Sequence, residues 1–232
     1  IYVKNDTAFG NNEYAGGVNV FDFTDLSNPK IISSLETYPD QGYNHSGWPS
    51  EDFKYYFFAD ETNGMDIKAV DISDITDIEV VSLFNSGTQP DKSLVHNLIV
   101  KGDSLYVSYY HDGLQIFDIS ENVEAGPEKV AWYKTYTQPD YDGGKGAWGV
   151  YPFLPSGNIL VSDREKGLFV LAVHDSFVPA LGNKEFLIYP NPVQDFFNVI
   201  VKPELGIREM KIYDIQGRLV YRAQNDETKT EI

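Results

Sequence analysis

Short runs of apolar and aromatic residues, often alternating with polar ones, recur between clusters rich in Gly, Pro, Asp and Asn. Such a texture predicts strands joined by tight turns. One phrase returns along the chain. It reads "GVNVFDFT" from Gly17, "GMDIKAVDIS" from Gly64, "GLQIFDIS" from Gly113 and, decayed, "GLFVLAV" from Gly167, at spacings of 47, 49 and 54 residues. The copy at Gly64 carries two extra residues before its Asp, an insertion that keeps strand alternation in phase.

Each copy follows another strand-like run: "IYVKN", "YYFFADE", "SLYVSYYHD" or "NILVSDRE". Ahead of these lie "HSGW", "HNLIV" and "WGVYPFL", reached through long loops; behind the glycine phrase come "KIISSLE", "EVVSLFN" and "EKVAWYK". Four strands per period of about fifty residues is the signature of a propeller blade. Runs such as "LFVLAV", apolar at every position, fit strands covered on both faces by neighbouring sheets.

Composition sharpens this picture. Aromatic residues make up 14% of the 232, with 16 Tyr, and Gly and Pro number 19 and 12, a mixture suited to pleated surfaces punctuated by turns. A formal charge of −17 repels a phosphate backbone, which argues against nucleic acid as a partner. The absence of cysteine removes disulfides, thiolate nucleophiles and Cys-based zinc sites. No apolar run reaches the roughly 20 residues that span a bilayer, so no transmembrane segment is expected. The chain begins without Met, already in a strand-like run, and reads as part of a longer protein.

The His-bearing first strand, aromatic second strand, Gly-led third strand and closing Asp-Ile-Ser resemble the LVIVD repeat. More narrowly, "YNHSGWPSEDFKYYFFADE", "SLVHNLIVKGDSLYVSYYHDGLQIFDIS" and "GAWGVYPFLPSGNILVSDREKGLFVL" are similar to the final blades of choice-of-anchor B family proteins. The resemblance spans residues 1–173. It implies a β-propeller of exported bacterial proteins, with no established enzymatic activity. Two complete blades flanked by partial ones are expected, too few for the four to eight of a closed ring.

After "LFVLAV" the segment 174–186, with Pro and Gly, reads as a linker. Beyond it "FFNVIV", "EMKIYDIQG" and "RLVYRA" alternate as short strands, with "IQGR" as a hairpin turn. Tyr189, Pro190, Asn191 and Pro192, followed by "KIYDIQGRLV" with Asp214, Gly217 and Arg218, resemble the type A sorting domain of the type IX secretion system. The resemblance implies an Ig-like β-sandwich over 187–232, here truncated, that addresses its cargo across the outer membrane. The expected fold is therefore all-β: an incomplete propeller, a linker and a sorting tail.

Strand direction places the second-to-third turns and the long loops between blades on one face. His45 and His96 open two first strands there, and Trp148 is their equivalent in a third. The acidic turns "ADE", "HD" and "DRE" fall on the same face, as do Asp40, Asp91 and Asp140 in the loops "YPDQGYNH", "QPDKSLVH" and "QPDYDGGKGAW". Recurring acids and imidazoles around an axis can converge on a cation or a polar ligand at the channel mouth. Against that, Pro-Asp is ordinary turn chemistry, a His at a strand start can serve a backbone carbonyl, and Trp148 can simply pack. "DYDGG" opens like a calcium loop without its later ligands. Asp22, Asp71 and Asp118 precede Thr or Ser, where they cap turns. Ser46 beside His45 lacks an orienting third group for nucleophilic catalysis, and His174 falls in the linker.

The sequence thus favours a secreted or outer-membrane-anchored propeller acting as a binding or scaffold module. Its partners would be the type IX secretion machinery and a surface ligand such as a glycan, peptide or protein. No catalytic residue is assigned and no cofactor is expected beyond a cation at the channel mouth. The competing expectation is a metal-assisted hydrolase or lyase using that face.

Overall fold

A computed structural model describes residues 1–14, 17–141, 143–173, 186–189, 198–201, 209–214, 216–224 and 229–231. The linker positions 174–185, His174, Asp142 and the sorting-motif residues Pro190, Asn191 and Pro192 lie outside them. The described chain is all-β save for one 3-10 turn at Val123–Ala125, and its contacts divide it into two compact units.

The first unit comprises Ile1–Leu154 and Asn158–Leu171. It contains three four-stranded antiparallel sheets and one three-stranded sheet. The first sheet runs β1 (Tyr2–Lys4), β2 (Thr7–Asn11), β3 (Val18–Asp22), β4 (Lys30–Leu35). The second runs β5 (Asn44–Pro49), β6 (Tyr55–Asp60), β7 (Ile67–Asp71), β8 (Glu79–Phe84). The third holds β9 (Asn97–Lys101), β10 (Ser104–Ser108), β11 (Leu114–Asp118) and β12 (Glu128–Tyr133). The fourth holds β13 (Ala147–Tyr151), β14 (Ile159–Asp163) and β15 (Gly167–Leu171).

The first sheet corrects the strand assignment made from sequence. "IYVKN" is its first strand and not its second, so three four-stranded sheets are present where two complete ones were expected. The cause is the turn at Asn5 and Asp6, both with positive φ (50° and 59°), which folds Tyr2–Lys4 back on Thr7–Asn11 as a tight hairpin. With Gly10 and Asn11 in it, the second strand lacks the apolar signature of its counterparts.

Successive sheets pack face on face. Phe9, Val18 and Val20 of the first meet Tyr56, Phe58 and Val70 of the second. The opposite face of the second, with Phe57, Ile67 and Ala69, meets Leu105, Val107 and Phe117 of the third. Strands buried on both sides explain why β6 is buried at every position.

The glycine that leads each third strand has a steric cause. Gly113 has φ +81°, and a Cβ on it would lie 2.1 Å from the Tyr133 carbonyl oxygen at the end of the fourth strand. Gly167 has the same φ, +82°, yet nothing lies within 4 Å of its Cβ position, in keeping with a sheet of three strands. Gly113→Ala should therefore destabilise the protein by about 3 kcal/mol, and Gly167→Ala by about 1 kcal/mol. Chemical denaturation of the two variants checks the difference; equal losses would contradict the steric account.

The second unit comprises Pro155–Gly157 and Ala172–Ile232. It contains a sheet of β16 (Phe186–Tyr189), β17 (Asn198–Val201) and β20 (Lys229–Glu231), and a hairpin of β18 (Glu209–Tyr213) and β19 (Leu219–Gln224). The hairpin turn is closed by Asp214, whose Oδ1 accepts the backbone N–H groups of Gln216 and Arg218 at 2.9 Å each. Asp214 also binds the Arg218 guanidinium at 2.6 Å, and Gly217 supplies the positive φ of +79°. The Asp-x-x-Gly-Arg phrase is thus a turn in which each named residue has a mechanical part.

Candidate metal centre on one rim of the sheets

The rim is set by register. His45 occupies a bulge in β5, between the pairs Asn44↔Asp60 and Ser46↔Ala59. Trp148 occupies the corresponding bulge in β13, between Ala147↔Asp163 and Gly149↔Ser162. A bulge re-aims the extra side chain and twists the strand. His96 stands just before β9, its N–H bonded to the Ser108 carbonyl at 3.0 Å. Three first strands thereby bring three rings together: His45 and His96 at 4.7 Å between centroids, His96 stacked on Trp148 at 4.6 Å.

Residues just past the second strands complete the rim: Glu61 and Arg164 directly follow β6 and β14, and Tyr110 is the second residue after β10, its backbone bridged to Ala147 of the fourth sheet. Glu61 and Arg164 make the same backbone bond two residues before the bulge, to Tyr43 at 2.7 Å and Gly146 at 2.9 Å. One ligand atom from each of His45, Glu61 and His96 lies within 4.8 Å of the others. His45 Nδ1 is 3.8 Å from Glu61 Oε2, while the Tyr110 hydroxyl donates a short hydrogen bond to Glu61 Oε1.

His96 is buried, and its Nδ1 lies 2.5 Å from the Trp148 carbonyl oxygen. A carbonyl only accepts, so Nδ1 carries the proton and the lone pair sits on Nε2. This is the arrangement by which a metal-binding imidazole is held: the far nitrogen donates to a backbone carbonyl and the near one is left basic. Burial, then the neighbouring His45, lowers the pKa of His96 below the ordinary 6.5, against the opposing pull of Glu61. The Tyr110 hydroxyl is pushed up by burial and by Glu61, and remains a donor.

Two imidazoles and a carboxylate form a donor set for a divalent transition ion such as zinc, with a coordination position left for water. Around a tetrahedral ion with bonds of about 2.0–2.1 Å, ligand atoms sit roughly 3.3 Å apart. The three side chains need to close by up to about 1.5 Å, and the partly exposed His45 and Glu61 have the freedom to rotate.

The lowered His96 pKa gives an acid-side signature. In the metal-free protein the neutral ring contributes stability that is present above pH 6.5 and is lost as pH falls through the depressed folded value. Thermal melts of the metal-free wild type should fall off below about pH 6.5, and His96→Gln should flatten that slope. Parallel pH profiles would contradict the assignment.

Beneath the rim runs a buried chain of polar contacts. Lys68 Nζ, with its side chain fully buried, binds Asp60 Oδ2 at 2.7 Å and the Asp40 carbonyl at 2.5 Å. Asp60 Oδ1 accepts from Tyr38 at 2.9 Å, and the Tyr38 hydroxyl accepts from Asn44 at 3.0 Å. Asn44 Oδ1 accepts from Asn11, and Asn11 Oδ1 from Tyr56 at 2.8 Å. Burial lowers the Lys68 pKa, while Asp60 pulls the other way. Asn44 and Asp60 are paired across β5 and β6, and they immediately precede His45 and Glu61.

Of the residues expected from sequence, His45, His96 and Trp148 are brought together, Trp148 acting on the pair through its backbone carbonyl. The aspartates stay in their loops. Asp40 adopts a positive φ of 52° and offers its carbonyl to Lys68. The Asp91 backbone lies beside Gly64. Asp140 is taken up by Tyr136 and Lys145, at 2.5 and 2.9 Å. Asp22, Asp71 and Asp118 each accept the N–H two residues on at 2.8 Å. Ser46 donates to the His96 carbonyl at 2.7 Å and so is not poised as a nucleophile. No pattern in the sequence distinguishes Glu61, Tyr110 and Arg164, although "ADE" and "DRE" fall on this face.

Residues 187–232 match the family of secretion system C-terminal sorting domains. A C-terminal sorting domain of this kind supports a destination that is secreted or held at the outer-membrane surface. Among the described residues no helix is long and apolar enough to cross a membrane. No curated protein matches the chain. Among solved structures, a provisionally named 6-phosphogluconolactonase of Bacteroides uniformis is 16% identical, with a TM-score of 0.55 over 100% of this chain and 72% of that one. The WD40 β-propeller domain of Doa1 is 11% identical, with a TM-score of 0.51 over 98% and 68%. The periplasmic gluconolactonase of Pseudomonas aeruginosa is 16% identical, with a TM-score of 0.48; the match covers 90% of this chain but only 64% of that one. At these identities the likeness is one of fold.

Proposed function

We propose that the chain is part of an exported β-propeller whose rim binds a divalent metal ion and carries out metal-assisted hydrolysis. The single observation behind this reading is the cluster of His45, Glu61 and His96, in which the Trp148 carbonyl leaves His96 Nε2 as the basic atom. Three protein ligands leave room for a water, whose pKa a zinc ion lowers to about 7. A binding or scaffold module needs no such open position.

The propeller reading draws further support from the fourth sheet. Leu168 and Val170 are 63% and 59% exposed, whereas Leu114 and Ile116, at the same register in the third sheet, are 2% and 4% exposed. Leu168 and Val170 therefore belong to the kind of face that a following sheet covers. The finer identity we favour is the LVIVD repeat of choice-of-anchor B proteins over residues 1–173, a linker over 174–186, and a sorting domain of Ig-like sandwich type over 187–232.

The test is hydrolysis of an activated ester by the zinc-loaded chain. A rate that rises with pH through an inflection near 7 and disappears on chelation is expected. A zinc-loaded protein no faster than the metal-free one would overturn the hydrolytic reading.

A further inference from the structure

Glu61, Tyr110 and Arg164 stand just past the second strands of three successive sheets, yet they differ in charge: a carboxylate, a hydroxyl and a guanidinium. The Tyr110 hydroxyl donates to Glu61 Oε1, and Arg164 Nη1 and the Tyr110 ring share the space over Gly144. Arg164 Nη1 also donates to the Gly144 carbonyl at 2.5 Å. Gly144 makes the arrangement possible, because a Cβ there would lie 2.8 Å from the Tyr110 ring and 2.9 Å from Arg164 Nη1. The guanidinium is thus held by the Gly144 carbonyl beside the cluster, while Arg164 as a residue remains exposed to solvent.

Among the described residues this planar cation forms no ion pair. Its partner is a neutral carbonyl, and a guanidinium carries five donors in a fixed fork, so donors remain for a ligand. A divalent ion and the Arg164 guanidinium, set against the single carboxylate of Glu61, would give the three-ligand cluster net positive charge on a chain whose formal charge is −17. Such a local inversion of sign attracts an anion and positions it, as bidentate Arg–carboxylate and Arg–phosphate pairs do.

We propose that the site takes an oxyanion, a carboxylate or phosphate group, with one oxygen on the metal ion and another on the Arg164 guanidinium. The proposal rests on the metal reading above. It places Arg164 as the residue that selects anionic ligands, while Glu61 and the two histidines hold the ion.

Calorimetric titration of acetate and of inorganic phosphate into the chain, with and without zinc, tests this. Anion binding should require zinc, and Arg164→Gln should weaken it about tenfold or more. Zinc affinity of Arg164→Gln should stay within about threefold of wild type, a difference well under 1 kcal/mol. Whichever anion binds tighter identifies the group as carboxylate or phosphate. If zinc itself does not bind, the metal reading fails and the anion site falls with it. If zinc binds but the anion is indifferent to Arg164, or binds as tightly without zinc, this inference alone is overturned.

Discussion

Lys68→Ala is expected to destabilise the protein by about 3–5 kcal/mol, because it leaves the Asp60 carboxylate buried without its counter-charge. For a domain of this size each kcal/mol moves the midpoint by roughly 2–4 °C, so a fall of about 6–20 °C should appear in a thermal melt. The loss does not come from deleting a favourable pair as such. Desolvating both ions offsets most of their attraction, and Lys68→Met combined with Asp60→Leu should recover most of the stability. Zinc binding would respond differently. Asn44 and Asp60 hold the backbone on which His45 and Glu61 are mounted, so the double variant should regain stability without regaining wild-type zinc affinity. A single Lys68→Ala variant that melts like wild type would remove this network from the account.

The second large effect concerns the ion itself. His45→Ala with His96→Ala removes two of three ligands, and stoichiometric zinc binding should fall to background, a loss of at least about a thousandfold in affinity, or roughly 4 kcal/mol. Both side chains lie at the rim and outside the two hydrophobic clusters, so the fold should survive as judged by circular dichroism. Zinc retained at one equivalent by a folded double variant would mean that the ion sits elsewhere.

The sheets were legible because their period is enforced by packing. At Gly17 and Gly113 the glycine phrase returns where the end of a fourth strand crowds the head of the third, and the apolar runs return where one sheet covers the next. Legibility failed at the first sheet, where the turn at Asn5 and Asp6 hides inside what looks like the end of a strand. The rim was legible in outline only. Strand direction puts His45, His96, "ADE" and "DRE" on one face, but which acid meets the imidazoles depends on the bulge at His45, and no run of letters announces a bulge. The Asp residues of the long loops misled for the opposite reason: their spacing from the histidines repeats, yet Asp40 and Asp140 are engaged locally, with Lys68 and with Lys145. Trp148 contributes a carbonyl, which any residue would supply. Lys68 was hidden in an apolar strand, its meaning fixed by Asp60 opposite.

The central claim is that three side chains from two adjacent sheets hold one ion at the rim. X-ray absorption at the zinc edge of the loaded chain tests it most directly. The account predicts two imidazole nitrogens and a carboxylate oxygen at about 2.0–2.2 Å, with a fourth light atom from water, and one imidazole fewer in His96→Ala. A shell of oxygens alone, or a spectrum unchanged by His96→Ala, would contradict it.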